Sequence, residues 1–261
     1  MSMGHSRRMG WWLALICATG LVLAAAALMP IVRHTSDSTK WVRCVKNLSQ
    51  IGLALQNYEW DHGSLPPAFM VDKTGRPTVS WRVLILPYLD RDDLYRQIKL
   101  DEPWDSQHNL PLACLMPDIY RCPADTDAKG GETSYVAVAG SETLWPGAKG
   151  RRLPGTETPS STILLVEVAH SGISWMEPRD LPFAVAAEGV NNVGKPGITC
   201  RHPCGGGDEP IKGVYDGYKP GVVGYRLSGA NCLFANGAVR TVSDAVSPKT
   251  MVELLTVEKG H

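Results

Sequence analysis

Three acidic residues, Glu167, Glu177 and Asp180, lie close together in the sequence around Trp175. Glycoside hydrolysis uses a pair of carboxylates beside the sugar, and an aromatic ring can stack on that sugar. The separation that decides such a mechanism is spatial, and a tryptophan in this setting is more often packed against its own loop. We therefore assign no catalytic residue from the sequence and expect no enzyme, with an extracytoplasmic hydrolase kept as an alternative.

The histidines do not complete a catalytic triad. His170 and His202 are near potential partners, but no Ser or Cys lies in a G-x-S-x-G nucleophile elbow. His62 and His108 are typical of helix ends and loops.

Two motifs have metal-ligating residue types. Asp125-Thr-Asp127-Ala-Lys-Gly130 begins like a calcium loop, but Val136 stands where the distal bidentate Glu would be. Cys200-Arg-His-Pro-Cys204 is a small disulfide, a pair of thiols or half of a zinc site, and no second Cys/His pair at zinc spacing follows it. The sequence thus assigns no cofactor and no metal ligand, and calcium in the first loop is the alternative to a solvated turn.

Cysteine usage agrees with export. Outside the apolar N-terminal run the chain has six cysteines: Cys44, Cys114, Cys122, Cys200, Cys204 and Cys232. Six cysteines permit three disulfides in fifteen connectivities, and the sequence does not choose among them.

Tryptophans suggest a second alternative, an exported glycan-binding module. The rings concerned are Trp60, Trp81, Trp104, Trp145 and Trp175. Exposed rings bind sugars by stacking, so polysaccharide is a candidate partner. We favour the interpretation that these rings anchor the core and the loops.

Composition argues against two broad classes of protein, nucleic-acid-binding proteins and disordered chains. The chain has 26 Lys plus Arg and 26 Asp plus Glu, so its net charge is zero and we expect no nucleic-acid partner. Hydrophobic residues make up 44% and charged residues 20%, which is not the composition of a disordered chain. The 26 glycines and 19 prolines favour a turn-rich body over a helix bundle.

Residues 11–29 form an uncharged run of nineteen residues, long enough at about 1.5 Å per residue to cross a hydrocarbon layer of about 30 Å. Arg7 and Arg8 precede it. We predict a cytoplasmic tail at residues 1–10, a membrane anchor at residues 11–29 and an extracytoplasmic C-terminal domain in a single-pass protein of the cytoplasmic membrane. Basic residues after the run oppose this orientation, and a signal peptide cleaved within Ala24–Ala27 is the alternative.

Residues 36–62 have the pattern of an amphipathic stalk helix. Apolar residues recur at steps of three and four, namely Trp41, Val45, Leu48, Ile51, Leu55 and Tyr58, with Lys40, Arg43, Lys46 and Gln50 between them. Ser36 or Ser38 can cap its start, and Gly63 ends it. Pro30 is the one evident kink point before it, so anchor and stalk are predicted to form one rod.

Residues 63–261 are predicted to form an α+β head with a mostly antiparallel sheet. Residues 80–89 are predicted to form a short helix capped by Ser80, with a buried strand as the alternative. Helices are also expected at residues 92–100 and from Ser247 through Val257, and strands at residues 134–139 and 162–168. Residues 231–235 and 238–242 flank Asn236-Gly237, which predicts a hairpin with a type I′ turn. The Gly- and Pro-rich stretch at residues 189–221 is predicted to form surface loops.

Several strings resemble the bacterial family of unknown function DUF1559, which is related to the prepilin-type processing-associated H-x9-D-G domain. They are the segment Cys44–Tyr58, Gly63–Pro67, Ser80–Leu89, Pro103–Ser106, Tyr120–Pro123, Thr133–Tyr135 and Trp175–Asp180. The resemblance covers roughly residues 40–260. It implies a pilin-like or pseudopilin-like surface protein of unestablished activity.

The chain departs from the family pattern at two places. No G-F-T-L-x-E prepilin cleavage site is present, which puts processing by a prepilin peptidase in doubt. In the H-x9-D-G motif, Arg226 replaces the His and Asn236 the Asp, and only Gly237 is kept. We therefore expect a membrane-anchored, exported, pseudopilin-like protein with a structural or assembly role in a cell-envelope complex, acting through protein partners or self-assembly.

Overall fold

The computed structural model describes residues 39–126, 128–153, 161–191, 197–200, 214–215 and 229–257. Residues 1–39 and 40–261 form two compact units. The predicted tail and anchor, and the predicted caps of the stalk helix, lie outside the described residues. Within the described ranges, no helix is both long and apolar enough to cross a membrane.

The described elements alternate between helices and short strands. The helices are α1 (39–62), α2 (Trp81–Leu84), α3 (Asp92–Tyr95), α4 (Phe183–Ala186) and α5 (Pro248–Leu255). The strands are β1 (Phe69–Val71), β2 (Pro77–Ser80), β3 (Tyr135–Ala139), β4 (Ile163–Glu167), β5 (Leu181–Pro182), β6 (Val214–Tyr215), β7 (Gly229–Phe234) and β8 (Val239–Ser243). Three 3-10 helices cover Leu86–Leu89, Leu110–Leu115 and Asp118–Tyr120.

In the described part of the chain, the main sheet has six strands in the order β5-β3-β4-β7-β8-β6. All neighbouring strands are antiparallel except β3 and β5, which are parallel. A separate two-stranded sheet pairs β1 with β2. The predicted α+β class with a mostly antiparallel sheet is confirmed.

The main sheet is buried on both faces because alternate residues of its strands enter two different cores. On β3, Tyr135 and Ala137 belong to the core that contains the α1 residues Leu48, Ile51 and Leu55. Their neighbours on β3, Val136 and Val138, belong to the core that contains the α5 residues Met251 and Leu255. Since successive side chains of a strand point to opposite faces, α1 and α5 cover opposite faces of the sheet.

Local signals predicted several elements well. Helix α1 ends where expected, at Gly63, which has a positive φ of 77°. Helix α5 is capped by Ser247, whose Oγ accepts from the Thr250 N–H at 3.1 Å, and Pro248 opens its first turn. Strands β3 and β4 lie within their predicted ranges.

Three local predictions are corrected. The hairpin of β7 and β8 is present, but only Gly237 has a positive φ, so the turn is not type I′. The Phe234 N–H donates to the Ala238 carbonyl oxygen, which makes the loop three residues long, and the Asn236 side chain accepts from the Ala238 N–H.

The helix predicted at residues 92–100 ends at Tyr95, because the chain then tightens into i to i−3 hydrogen bonds. Strand β6 lies inside the stretch predicted as loops, where it pairs with β8.

A buried ion pair ties α2 to the edge of the main sheet. The Arg82 guanidinium is fully buried, and its Nη2 lies 2.5 Å from Oδ1 of Asp180. The other Arg82 nitrogens donate to the Tyr135 carbonyl oxygen and to Ser80 Oγ. Asp180 Oδ1 also accepts from the Ala137 N–H at 2.9 Å. The pair thus holds the residue before β5 against β3.

We predict that Arg82→Met strongly destabilises the protein, because it leaves the Asp180 carboxylate buried without its cation. The expected loss is about 3–5 kcal/mol in the free energy of unfolding, measured by urea denaturation. The control is Arg96→Met, which removes an exposed pair with Asp92 and should cost less than about 1 kcal/mol. Equal losses in the two variants would contradict this interpretation of the buried pair.

A disulfide joins α1 to the chain that follows the third 3-10 helix. Cys44 and Cys122 are 78 residues apart in sequence, and their Cα atoms are 5.4 Å apart. Both side chains are buried. A crosslink that closes so long a loop restricts the unfolded chain considerably.

We predict that the double variant Cys44→Ala/Cys122→Ala unfolds at lower urea concentration under oxidising conditions. The expected loss is about 2–4 kcal/mol, because the unfolded chain regains the freedom that the crosslink removes. Cys114→Ala is the control, since Cys114 is an exposed cysteine outside any disulfide. An unchanged unfolding midpoint in the double variant would show that the crosslink is not formed or not stabilising.

Candidate functional site

A row of polar side chains crosses four strands on the face of the main sheet that α1 covers. Tyr135 on β3 lies opposite Glu167 on β4, and Asn231 on β7 lies opposite Thr241 on β8. The two halves meet where Asn231 Nδ2 donates to Glu167 Oε2 at 3.1 Å. All four residues are buried, and Glu167 is 1% exposed. We call these four residues the polar row.

Helix α1 contacts the polar row through residues three positions apart. Trp41 Nε1 donates to Asn231 Oδ1 at 3.2 Å, and Cys44 Sγ lies 3.7 Å from Glu167 Oε1. One turn later, Asn47 Nδ2 lies 3.4 Å from the Tyr135 hydroxyl and 3.1 Å from the Arg121 carbonyl oxygen. Because a step of three residues returns to nearly the same side of a helix, one stripe of α1 lies over the row.

The orientation of the Asn231 side-chain amide follows from the two groups that donate hydrogen bonds to it. Its Oδ1 accepts from Trp41 Nε1 and from Thr241 Oγ1 at 3.0 Å, and both of these atoms carry hydrogens. Its Nδ2 must therefore point to Glu167. This directs one carboxylate oxygen, Oε2, to the amide and leaves the other, Oε1, on the side of the disulfide.

Burial sets the protonation of two groups around the row. It raises the pKa of the Tyr135 phenol well above its ordinary value, and the nearby Glu167 carboxylate adds to that shift. Burial also raises the pKa of the Cys232 thiol, on the opposite face of β7, with a smaller contribution from Glu167. Both groups therefore stay protonated at neutral pH.

The polar row and the disulfide bring together three metal-ligating residue types. Cys44, Cys122 and Glu167 each offer one ligand atom, all within 4.8 Å of one another, and all three residues are buried. Among the described residues, they form the one group of three or more such side chains. This group contains one acid considered in the sequence, Glu167, and a cysteine pair that the sequence did not distinguish from the fourteen other pairs that six cysteines can form.

The three acids considered for hydrolysis are held by different partners. Glu167 belongs to the polar row, Asp180 pairs with Arg82, and Glu177 pairs with Arg179 at 2.5 Å. Burial raises the pKa of the Asp180 carboxyl, and Arg82 opposes that shift. The side chains of Glu167 and Asp180 are at most 2% exposed, so neither presents a carboxylate to a polysaccharide.

Most of the tryptophans considered for glycan binding are structural. Trp81, Trp145 and Trp175 are buried, and Trp104 is half-buried. Trp175 stacks on Tyr120 with ring centroids 5.9 Å apart and donates to the Ala113 carbonyl oxygen. The favoured interpretation is confirmed for these buried rings, whereas Trp60 on α1 is 89% exposed.

The first acid of the loop considered for calcium, Asp125, is buried and hydrogen-bonded within the chain. Its Oδ2 accepts from Ser134 Oγ at 3.0 Å and from the His170 N–H at 3.1 Å. The His170 ring nitrogen Nδ1 lies 3.4 Å from Oδ1. Asp127 lies outside the described residues, and calcium in this loop stays the untested alternative to a solvated turn.

The remaining candidates occupy scattered positions. The His62 ring packs on Tyr58 with centroids 4.1 Å apart, and His108 Nε2 lies 2.9 Å from the Gln97 carbonyl oxygen. Cys200 is partly exposed, and its N–H donates to Asn191 Oδ1 at 3.2 Å. His202, Cys204 and Arg226 lie outside the described residues.

Sequence reasoning missed the roles of Asn231 and Thr241. The other residues of β7 are glycine or apolar, and a buried Asn in such a strand needs hydrogen-bond partners. That requirement was the available signal for a polar cluster. The position of Cys44 between Trp41 and Leu48 on the apolar stripe of α1 was a second signal, because it indicated a core-facing cysteine.

Comparison with known proteins gives one match. The family model described as a protein of unknown function (DUF1559) matches residues 42–177, which is more than half of the chain. No curated protein and no solved structure matches. The matched segment includes most of α1 together with Cys44, Cys122 and Glu167. The chain therefore belongs to the DUF1559 family of proteins of unknown function.

Proposed function

We propose that this protein is a membrane-anchored, exported, pseudopilin-like protein that assembles with protein partners in a cell-envelope complex. In this proposal residues 1–10 are a cytoplasmic tail, residues 11–29 the anchor, residues 36–62 the stalk and residues 63–261 the extracytoplasmic head. Its active parts are surfaces, and the outer face of α1 is the main one.

One observation carries the proposal, an apolar stripe on the solvent side of α1. Val42, Leu53 and Trp60 are 50%, 58% and 89% exposed. They are separated by eleven and seven residues, close to three and two whole turns of a helix. They therefore lie nearly in line along the helix, and we call these three residues the outer stripe. The opposite side of α1 packs on the sheet, so the outer stripe is the side of the helix that a partner can reach.

Charge and redox chemistry support the same proposal. Arg43 and Lys46 are exposed beside the outer stripe, which gives the first half of α1 a basic margin. The Cys44–Cys122 disulfide is a feature of proteins in oxidising compartments, and export would place it in one. The uncharged run at residues 11–29 supports retention at the membrane.

We predict that Leu53→Glu reduces the recovery of partner proteins. A charge in the centre of the outer stripe opposes desolvation of this face, and a hot-spot position should weaken association by about tenfold or more. The measurement is affinity isolation of the tagged, intact protein from membranes, followed by quantitative mass spectrometry. Leu110→Glu is the matched control, because Leu110 is 50% exposed in a 3-10 helix and lies outside α1.

The same affinity isolation is repeated with variants in which the charges of Lys40, Arg43 and Lys46 are reversed. These charge reversals should also change the partners that co-purify. The proposal is wrong if Leu53→Glu and the charge reversals both leave the partner set unchanged, or if the intact protein is recovered as a freely diffusing cytoplasmic species.

A second candidate function, glycan binding, is favoured by the exposed ring of Trp60. If that ring stacks on a sugar, tryptophan fluorescence should shift on addition of envelope polysaccharide, and Trp60→Ala should abolish the shift. Trp104→Ala is the control, since Trp104 packs against the α1-side core. An unchanged spectrum at saturating polysaccharide would leave assembly as the sole proposal.

A further inference from the structure

We propose that, when the Cys44–Cys122 disulfide is reduced, Cys44, Cys122 and Glu167 form a binding site for a thiophilic divalent cation such as Zn²⁺. This inference does not depend on the assembly role proposed above. It also differs from the zinc alternative considered for Cys200 and Cys204, because it uses other ligands.

The geometry of the three side chains suits a small tetrahedral site. The ligands come from three separate places, namely α1, the chain after the third 3-10 helix, and the end of β4. Their ligand atoms lie within 4.8 Å of one another. A tetrahedral zinc with sulfur ligands at about 2.3 Å separates two sulfurs by roughly 3.8 Å. Side-chain adjustment within the existing cluster is therefore enough to admit the ion.

The donor chemistry selects the class of metal. Two thiolates and one carboxylate are ligands that zinc uses in proteins, whereas calcium and magnesium prefer sites built from oxygen. Three protein ligands leave a fourth position for water or another donor. Because two thiolates and a carboxylate carry three negative charges in a buried place, a divalent cation offsets most of the cost of burying them.

Neighbouring groups orient the carboxylate toward the sulfurs. Asn231 Nδ2 holds Oε2 of Glu167, and Trp41 and Thr241 fix the Asn231 amide from the other side. Oε1 is thereby directed at Cys44 Sγ, 3.7 Å away. Outer contacts of this kind hold metal-binding carboxylates in place in known metal sites.

The chemical balance of the transition is simple. A phosphine reductant breaks the S–S bond and is oxidised to the phosphine oxide with oxygen from water, and the two sulfurs take up two protons as thiols. Binding of the cation then displaces these two protons to solvent, because metals bind thiolates. No electron is exchanged with the metal.

The test uses the full chain, prepared with a phosphine reductant and titrated with Co²⁺, whose thiolate complexes absorb intensely. We expect one tightly bound cobalt per chain with thiolate absorption, displaced by Zn²⁺, and no such absorption in the oxidised protein. Cys44→Ser and Cys122→Ser should lose this spectrum. Glu167→Gln keeps both cysteines and should weaken binding roughly tenfold or more. Cys114→Ser and Cys200→Ser are the controls and should bind as the original chain does.

A second readout covers variants that fold poorly. Zn²⁺ should raise the unfolding temperature of the reduced chain and leave that of the oxidised chain unchanged, because only the reduced folded state binds it. The proposal is overturned if reduced protein shows no cobalt–thiolate absorption. It is equally overturned if the absorption persists in Cys44→Ser and Cys122→Ser but disappears in Cys200→Ser.

Discussion

A carboxylate buried between a helix and a sheet needs hydrogen-bond donors, and the contacts of Glu167 bring the two layers together. Asn231 donates to Glu167 from the adjacent strand, and the Cys44 sulfur of the disulfide packs against Glu167 from α1. Trp41 then bonds to the same Asn231, so the helix and the sheet share one hydrogen-bonded group. A buried polar group that loses its partner costs about 1–3 kcal/mol or more, which makes this arrangement sensitive to any rotation of α1. The position of α1 on the sheet follows from that sensitivity.

Apolar contacts alone would define the position of α1 less sharply. The helix carries apolar residues on its inner side, such as Leu48 and Ile51, and on its outer stripe, where Leu53 lies. Hydrophobic attraction grows with the apolar area that is buried, so the larger inner side of α1 faces the sheet, but being non-directional it does not set the exact rotation of the helix. The disulfide and the polar row set that rotation, and the outer stripe faces away from the sheet. An exposed apolar surface on α1 therefore results from the same contacts that hold the helix in place.

The sequence predicted the parts of this structure that depend on neighbouring residues. The periodicity of α1, the Ser247 cap and the glycine in the β7–β8 turn act within a few positions of the chain, and they are present. The sequence did not predict contacts between distant residues. Arg82 and Asp180 are 98 residues apart, and Cys44 and Cys122 are 78 apart, so their pairing depends on the tertiary fold. Strands of two residues, such as β5 and β6, are too short to show a period of two.

The two forms of the cysteine pair have related effects on the fold. The disulfide joins α1 to the chain after the third 3-10 helix, whereas a cation bound by Cys44, Cys122 and Glu167 would join both of these to β4 as well. In either form Cys44 links α1 to the chain after the third 3-10 helix. Since the outer stripe lies on the other side of α1, its exposure does not depend on which form is present. A surface held in this way can serve for assembly without being coupled to the chemistry beneath it.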